Sequence, residues 1–117
     1  MSGTAIVTGG ANGIGLAIAT RLMRDGFSVV IADRDLEAAE KAAAEIGAKA
    51  RQIDIGDEAS VVEGVRAIAE AGGGLAAVVN NAGIQTQRIV VETKVEDWDR
   101  IHRVNARGTF LMCREAA

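Results

Sequence analysis

The feature that most constrains the fold is a set of short, continuously apolar runs rich in β-branched residues. Residues 5–7, 29–32 and 76–79 read Ala-Ile-Val, Val-Val-Ile-Ala and Ala-Ala-Val-Val. A strand with one solvated face alternates apolar and polar residues, so these runs indicate strands that are covered on both faces. Such strands are typical of a parallel sheet, in which a fourth and more polar candidate, residues 50–53, belongs at an edge.

Helical patterns separate these runs. Ile14, Ile18 and Leu22 recur at helical spacing and predict a buried stripe on a helix that ends near Gly26. Two further stripes are formed by Leu36, Ala39, Ala43 and Ile46, and by Val61, Val65 and Ile68. The order β-α-β-α-β-α-β, followed by a last helix from about Val95, predicts a doubly wound α/β parallel sheet with strand order 3-2-1-4.

The composition narrows the range of partners. With 49% hydrophobic and 25% charged residues, the 117-residue chain suits one globular domain. No apolar run approaches the roughly 20 residues of a membrane span, so we expect no membrane contact. A net charge of −3 with mixed signs makes nucleic acid a poor partner. A single cysteine, Cys113, and an N-terminus without a positively charged segment favour a cytoplasmic protein.

A glycine-rich turn at residues 8–15 lies directly after the first apolar run and directly before the first helical pattern. Gly9, Gly13 and Gly15 permit φ > 0 and the close approach of another group. A helix that begins here points its free N–H groups and the positive end of its dipole at whatever lies over the turn. The turn predicts an anion site, most simply for a pyrophosphate; a strand-to-helix turn that only needs glycines is the alternative.

Asp33 ends the second predicted strand, 18 residues after Gly15. In dinucleotide-binding units, a carboxylate about 20 residues after the glycine turn binds the adenosine ribose hydroxyls. Such a carboxylate repels a 2′-phosphate, which favours NAD over NADP. Arg34 could instead pair with that phosphate, and this keeps NADP as the alternative. Asp33 could also be a solvated helix cap, although Asp35 already suits that purpose.

Two further strands end in polar residues. Asp54 follows the third strand and Asn80-Asn81-Ala82-Gly83 follows the fourth. Because the carboxyl ends of parallel strands meet at one edge of the sheet, these residues should face the same crevice as Asp33. Asp54 could accept from an adenine amino group or cap a helix, and Asn81 is a better ligand candidate than Asn80.

Asn105 is an unusual residue for the middle of a helix. It shares a helical stripe with Trp98, Ile101, Gly108 and Met112, so we expect it to face the protein interior. A buried amide without partners costs about 1–3 kcal/mol. A local helix break or a bound water would offset that cost, and a functional site would explain the residue. A core Asn that is satisfied by backbone is the alternative.

Taken together, these motifs resemble the short-chain dehydrogenases/reductases. The resemblance rests, in chain order, on Thr8-Gly9-x-x-x-Gly13-Ile14-Gly15, Asp33, Asp54-Ile55, Asn80-Asn81-Ala82-Gly83, Trp98-Asp99 and Val104-Asn105-x-x-Gly108. It implies a Rossmann-type fold and hydride transfer between a nicotinamide and a secondary alcohol or ketone. The cofactor contacts that it implies are Thr8, Gly9, Asn12, Gly13, Ile14, Gly15, Asp33, Arg34, Asp54, Ile55, Asn81, Ala82 and Gly83.

The same resemblance implies that Asn105 belongs to a catalytic tetrad, in which it holds a water that links a catalytic Lys to solvent. The family's Ser and Tyr-x-x-x-Lys pair are missing from these residues, which contain no tyrosine. We therefore expect residues 1–117 to be the NAD(P)-binding, N-terminal part of a longer single-domain enzyme, inactive alone. The alternative is a non-catalytic dinucleotide-binding or regulatory module that is complete at 117 residues.

The expected partners follow from the resemblance. NAD is the expected cofactor, with NADP less favoured, and a small alcohol or ketone is the substrate of the parent enzyme. Homo-oligomers would contact through the last helix. No cluster of carboxylates and imidazoles has a metal-binding spacing, so we expect no metal.

Overall fold

The computed structural model, which describes residues 3–117, contains four parallel strands. In chain order they are β1 (Thr4–Thr8), β2 (Ser28–Asp33), β3 (Lys49–Gln52) and β4 (Ala77–Val79). Their order across the sheet is β3-β2-β1-β4, which confirms the predicted doubly wound arrangement. The central strand β1 is buried along its whole length, as its continuous apolar run predicts.

Helices connect the strands and continue after the last one. They are α1 (Gly13–Arg24), α2 (Leu36–Ile46), α3 (Glu58–Gly72), α4 (Val95–His102) and α5 (Thr109–Ala116), with a short 3₁₀ turn at Val90–Glu92. A π-helical segment, Arg103–Gly108, joins α4 to α5, so the predicted last helix is present with a local change of winding in its middle.

The core consists of two layers because successive residues of a strand point to opposite faces of the sheet. Ile6 and Val30 face one layer, where they pack with residues of α3 and α5. Val7 and Ile31 face the other layer, where they pack with residues of α1 and α2. Both faces of β1 and β2 are therefore covered, as their uninterrupted apolar runs indicated, whereas β4 at the edge of the sheet is only half-buried.

The termini of α2 follow the sequence signals closely. The Asp35 side chain accepts a hydrogen bond from the Ala38 N–H at 3.1 Å, as expected of an N-cap. Gly47 ends the helix with φ at 78°, a left-handed conformation that favours glycine.

One predicted stripe is wrong at its first position. The Ile14 side chain is 75% exposed, whereas Ile18 and Leu22 pack against the core as predicted. The helix α1 begins at the carboxyl edge of the sheet, so its first turn overhangs the open crevice and has no strand beneath it. Gly15 and Ala19 are the buried residues of this helix instead.

An ion pair connects the two helices on one face of the sheet. The Arg114 guanidinium on α5 donates to the Glu58 carboxylate on α3 at 2.8 Å. This hydrogen bond, with the charge of the same arginine, lowers the pKa of Glu58. Both side chains are solvent-exposed, so we expect the pair to orient the helices more than to stabilise them.

Candidate functional site

A cleft of about 370 Å³ opens at the carboxyl edge of the sheet, where the sequence predicted a binding site. Most of the predicted site residues line it: Thr8, Gly9, Asn12, Gly13, Ile14, Asp33, Arg34, Asp54, Ile55, Asn81, Ala82 and Gly83. Gly15 lies behind the turn, and Asn105 is connected to the cleft wall through Ile84. Segments that are far apart in the sequence therefore form one continuous surface.

The glycine turn presents free N–H groups to this cleft. Gly9 and Gly13 have φ values of 63° and 56°, which other residues rarely adopt. Asn12 precedes α1 with an extended backbone, and its side chain makes no hydrogen bond to the N–H groups of the first turn. That turn also carries no acidic residue. The start of α1 is thus suited to an anionic ligand.

Thr8 joins the end of the central strand β1 to the end of the edge strand β4. Its side chain is buried, with 1% of the residue exposed. The hydroxyl donates to the Val79 carbonyl at 3.4 Å and accepts from the Asn81 and Ala82 N–H groups at 3.1 and 3.0 Å. A hydroxyl has one donor and two acceptor positions, so all of its hydrogen-bonding capacity is used within the protein.

Asn81 supports the glycine turn from the neighbouring strand. Its Nδ2 donates to the Thr8 and Gly9 carbonyls, both at 3.2 Å. The amide nitrogen is therefore committed to the protein, and the amide oxygen is the atom that remains for a ligand. Asn80, the weaker ligand candidate of the two, donates to the Cys113 sulfur at 3.6 Å.

Gly15 has no side chain, and this allows the backbone of α1 to lie close to the glycine turn. A Cβ added at this position would meet the Gly9 carbonyl oxygen well inside contact distance, the Asn81 Nδ2 at 2.5 Å and the Gly10 Cα at 3.0 Å. The backbone of α1 therefore packs directly on the turn, and any side chain at Gly15 would push the two apart.

Two carboxylates lie along the cleft from the turn. Asp33 is half-buried, and its Oδ1 accepts from the Asp35 N–H at 3.1 Å. The Asp54 Oδ1 accepts from the Gly56 N–H at 2.9 Å. One backbone N–H orients each carboxylate through its Oδ1. The second oxygen of each carboxylate takes no part in that bond, so Asp33 and Asp54 can both accept hydrogen bonds from a ligand.

The expectation of a buried Asn105 is wrong, because the residue is exposed beside the rim of the cleft. Its Oδ1 accepts from the Ile84 N–H at 2.8 Å and its Nδ2 donates to the Ile84 carbonyl at 2.7 Å. Asn105 lies in the π-helical segment, and a local helix break of this kind is one of the alternatives left open above. The amide is thus satisfied by backbone, and it fixes the segment that forms one wall of the cleft.

Sequence reasoning missed four residues of the lining: Ala32, Ile53, Ile84 and Val104. Each is adjacent to a residue or motif that was predicted, since Ala32 and Ile53 precede Asp33 and Asp54 along the chain. The apolar lining was missed because the polar residues at strand ends indicate where a ligand is bound, but not which apolar neighbours provide its contact area.

Within residues 3–117, no group of three or more potential ligands is close enough to hold a metal ion. Among the helices of that range, none is long and apolar enough to cross a membrane.

Residues 3–117 match the sequence pattern of the short chain dehydrogenase family. The chain therefore belongs to this family of oxidoreductases, which bind a nicotinamide dinucleotide on a Rossmann-type domain. It is 42% identical over 114 residues to the NADP-dependent (R)-specific alcohol dehydrogenase of Lentilactobacillus kefiri, covering 94% of this chain and 45% of the relative. The chain spans about half the length of the curated relatives that it matches first.

Solved structures show the same fold. A 3-ketoacyl-(acyl-carrier-protein) reductase from Brucella melitensis, complexed with NADH, superimposes with a TM-score of 0.92 at 40% identity over 97% of this chain and 48% of that one. A structure described as ribose-5-phosphate isomerase from Brucella melitensis 16M gives 0.93 at 36% identity over 97% and 45%. These two structures carry different enzyme names on one fold, so the fold alone does not assign a reaction.

Proposed function

We propose that residues 1–117 are the cofactor-binding, N-terminal part of an oxidoreductase that transfers hydride between a nicotinamide and a secondary alcohol or ketone. The observation that supports this most is the cleft itself, in which the glycine turn, Asp33 and Asp54 follow one another along one edge of the sheet. This order supports the assignment of the pyrophosphate, the adenosine ribose and the adenine to the three in turn.

In this proposal the pyrophosphate lies over the start of α1, where free N–H groups and the helix dipole favour negative charge. Asp33 accepts from the adenosine ribose hydroxyls, Arg34 lies beside it, and Asp54 accepts from the adenine amino group. Ile14 and Ile55 supply apolar contact area. The nicotinamide provides the hydride when the cofactor is bound, and the described residues bind and orient it.

NAD is the preferred cofactor in this proposal, because the Asp33 carboxylate would repel a 2′-phosphate. The relatives differ in their cofactor: one is NADP-dependent, and one structural neighbour is complexed with NADH. The choice therefore has to be read from this chain's own residues.

Replacing Asp33 tests the cofactor assignment. We expect Asp33→Asn to weaken NAD binding about tenfold or more, since a hydrogen bond to a charged group is worth about 1.5–3 kcal/mol. NADP should bind more tightly than before because a repulsive charge is removed. Titration calorimetry with both dinucleotides measures the two dissociation constants.

The matched control is Asp25→Asn, which removes the same charge beyond the opposite end of α1, where Asp25 pairs with Arg21 on the surface. It should leave both dissociation constants unchanged. Parallel shifts for NAD and NADP in Asp33→Asn would contradict the assignment.

We further propose that residues 1–117 on their own bind the cofactor without turnover. Of the tetrad that the family resemblance implies, they contain Asn105, whereas they contain no tyrosine to exchange a proton with the substrate oxygen. We expect no NADH to form from secondary alcohols, as followed by absorbance. A measurable rate in material free of any longer enzyme would overturn this.

The remaining parts of the proposal concern partners. The substrate of the whole protein is a small alcohol or ketone, and subunits associate through α4 and α5. The exposed Trp98 and Phe110 side chains, 58% and 59% accessible, support that contact. Light scattering of the purified protein measures the association. A cytoplasmic location stays a prediction from the sequence.

A further inference from the structure

The turn between β2 and α2 carries both residues that bear on the choice of cofactor, Asp33 and Arg34. Three hydrogen bonds fix its shape. The Ile53 N–H donates to the Asp33 carbonyl at 3.1 Å, and the Asp35 N–H donates to the Asp33 side chain at 3.1 Å. The third comes from Gln52, whose Nε2 donates to the Arg34 carbonyl at 3.0 Å. Gln52 is the only side chain of another element among these three bonds.

The position of Gln52 follows from the sheet register. It is the last residue of β3 and pairs with Asp33 at the end of β2. Its exposed side chain packs no core and reaches sideways over the neighbouring turn. The Arg34 carbonyl and the Asp35 N–H belong to one peptide, so the Gln52 bond fixes the peptide whose N–H orients the Asp33 carboxylate. The bond adds little to the packing of the fold.

Arg34 lies at the border between the 370 Å³ cleft and its neighbours. It lines the 370 Å³ cleft, and it also lines a neighbouring cleft of about 460 Å³ with Arg103 and Arg107. A rotation of the peptide between Arg34 and Asp35 would take away the N–H that orients the Asp33 carboxylate, beside which the Arg34 guanidinium lines the same cleft. The direction of this one peptide therefore governs whether the adenosine ribose faces the Asp33 carboxylate or the Arg34 guanidinium.

We propose that Gln52 is a positioning residue for cofactor choice: it holds the Arg34 peptide so that the Asp33 carboxylate, rather than the Arg34 guanidinium, faces the adenosine ribose. This inference rests on the proposed binding of a nicotinamide dinucleotide in the cleft. Without the Gln52 bond, the carboxylate loses its fixed direction, so its hydrogen bonds to NAD weaken and its repulsion of a 2′-phosphate falls.

Gln52→Met tests this, because methionine has the same unbranched length and cannot donate the hydrogen bond. We expect the dissociation constant of NAD to rise about fivefold, the effect of one ordinary hydrogen bond. That of NADP should stay the same or fall, so the preference for NAD over NADP decreases about fivefold or more. Gln52→Asn keeps an amide but is one methylene too short, and it should behave in the same way.

Gln87→Met is the matched control, since Gln87 is exposed and lies outside the lining of the cleft. Titration calorimetry with NAD, NADP and nicotinamide mononucleotide, on the protein and the three variants, gives the comparison. Nicotinamide mononucleotide lacks the adenosine ribose and should bind equally to all of them.

The outcomes separate the two proposals. Unchanged dissociation constants in Gln52→Met, or an equal loss for NAD and NADP, would overturn the positioning role while leaving the cofactor assignment intact. Failure of the unsubstituted protein to bind either dinucleotide would overturn the proposed function, and this inference with it.

Discussion

Gly15→Ala is expected to lower the stability of the protein and to weaken dinucleotide binding at least tenfold. The added methyl group would meet the Gly9 carbonyl oxygen and the Asn81 amide, so α1 must move away from the turn that it supports. Overpacking of this kind costs about 3 kcal/mol when backbone has to shift. The better helix propensity of alanine returns about 1 kcal/mol. We expect a net loss of about 2 kcal/mol in the free energy of unfolding, measured by urea denaturation.

Gly73→Ala separates steric crowding from the conformational preference of glycine. Gly73 ends α3 with φ at 71°, and a Cβ there would meet nothing within 4 Å. It should cost about 1–2 kcal/mol through its left-handed backbone and leave dinucleotide affinity unchanged. If Gly15→Ala binds NAD as tightly as the unsubstituted protein, the proposed packing of α1 on the turn does not govern the site.

Thr8→Val is the second substitution with a large expected effect. Valine matches threonine in shape, but its methyl group leaves the Asn81 and Ala82 N–H groups without their acceptor. An unsatisfied buried donor costs about 1–3 kcal/mol, and both residues are half-buried, so water compensates in part. We expect the free energy of unfolding to fall by about 2 kcal/mol.

The control at the same position is Thr8→Ser, which keeps the hydroxyl and removes one methyl group at a cost of about 0.8 kcal/mol. Urea denaturation of both variants distinguishes the two contributions. Equal losses for valine and serine would mean that packing, and not the hydrogen bonds that join β1 to residues 79–82, accounts for the role of Thr8.

Much of the fold was predictable because its signals are local. An apolar run such as residues 29–32 has no polar face, so it has to be covered on both sides, and this alone favours a parallel sheet. The limits of α2 could be predicted from Asp35 and Gly47, since a cap acts within one helical turn. The order of the strands followed from the handedness of the connections.

The errors arose where the environment of a residue is set by a distant segment. Helical spacing predicts that Ile14 shares a face with Ile18, but not that the sheet ends before it reaches Ile14. Asn105 falls on an inward stripe of an ideal helix, and the π-helical segment and the rim of the cleft changed its surroundings.

The sequence by itself determined which residues meet at the carboxyl edge of the sheet, because the register of a parallel sheet brings its strand ends together. The tertiary structure decided what each of them does there. Asn81 and Gly15 were predicted as cofactor contacts. In the structure the Asn81 amide donates to the glycine turn, and the backbone at Gly15 packs directly on that turn. Gln52 donates to the Arg34 carbonyl from the next strand. Such roles depend on distances of about 3 Å between segments far apart in the chain, and no pattern within a single segment records them.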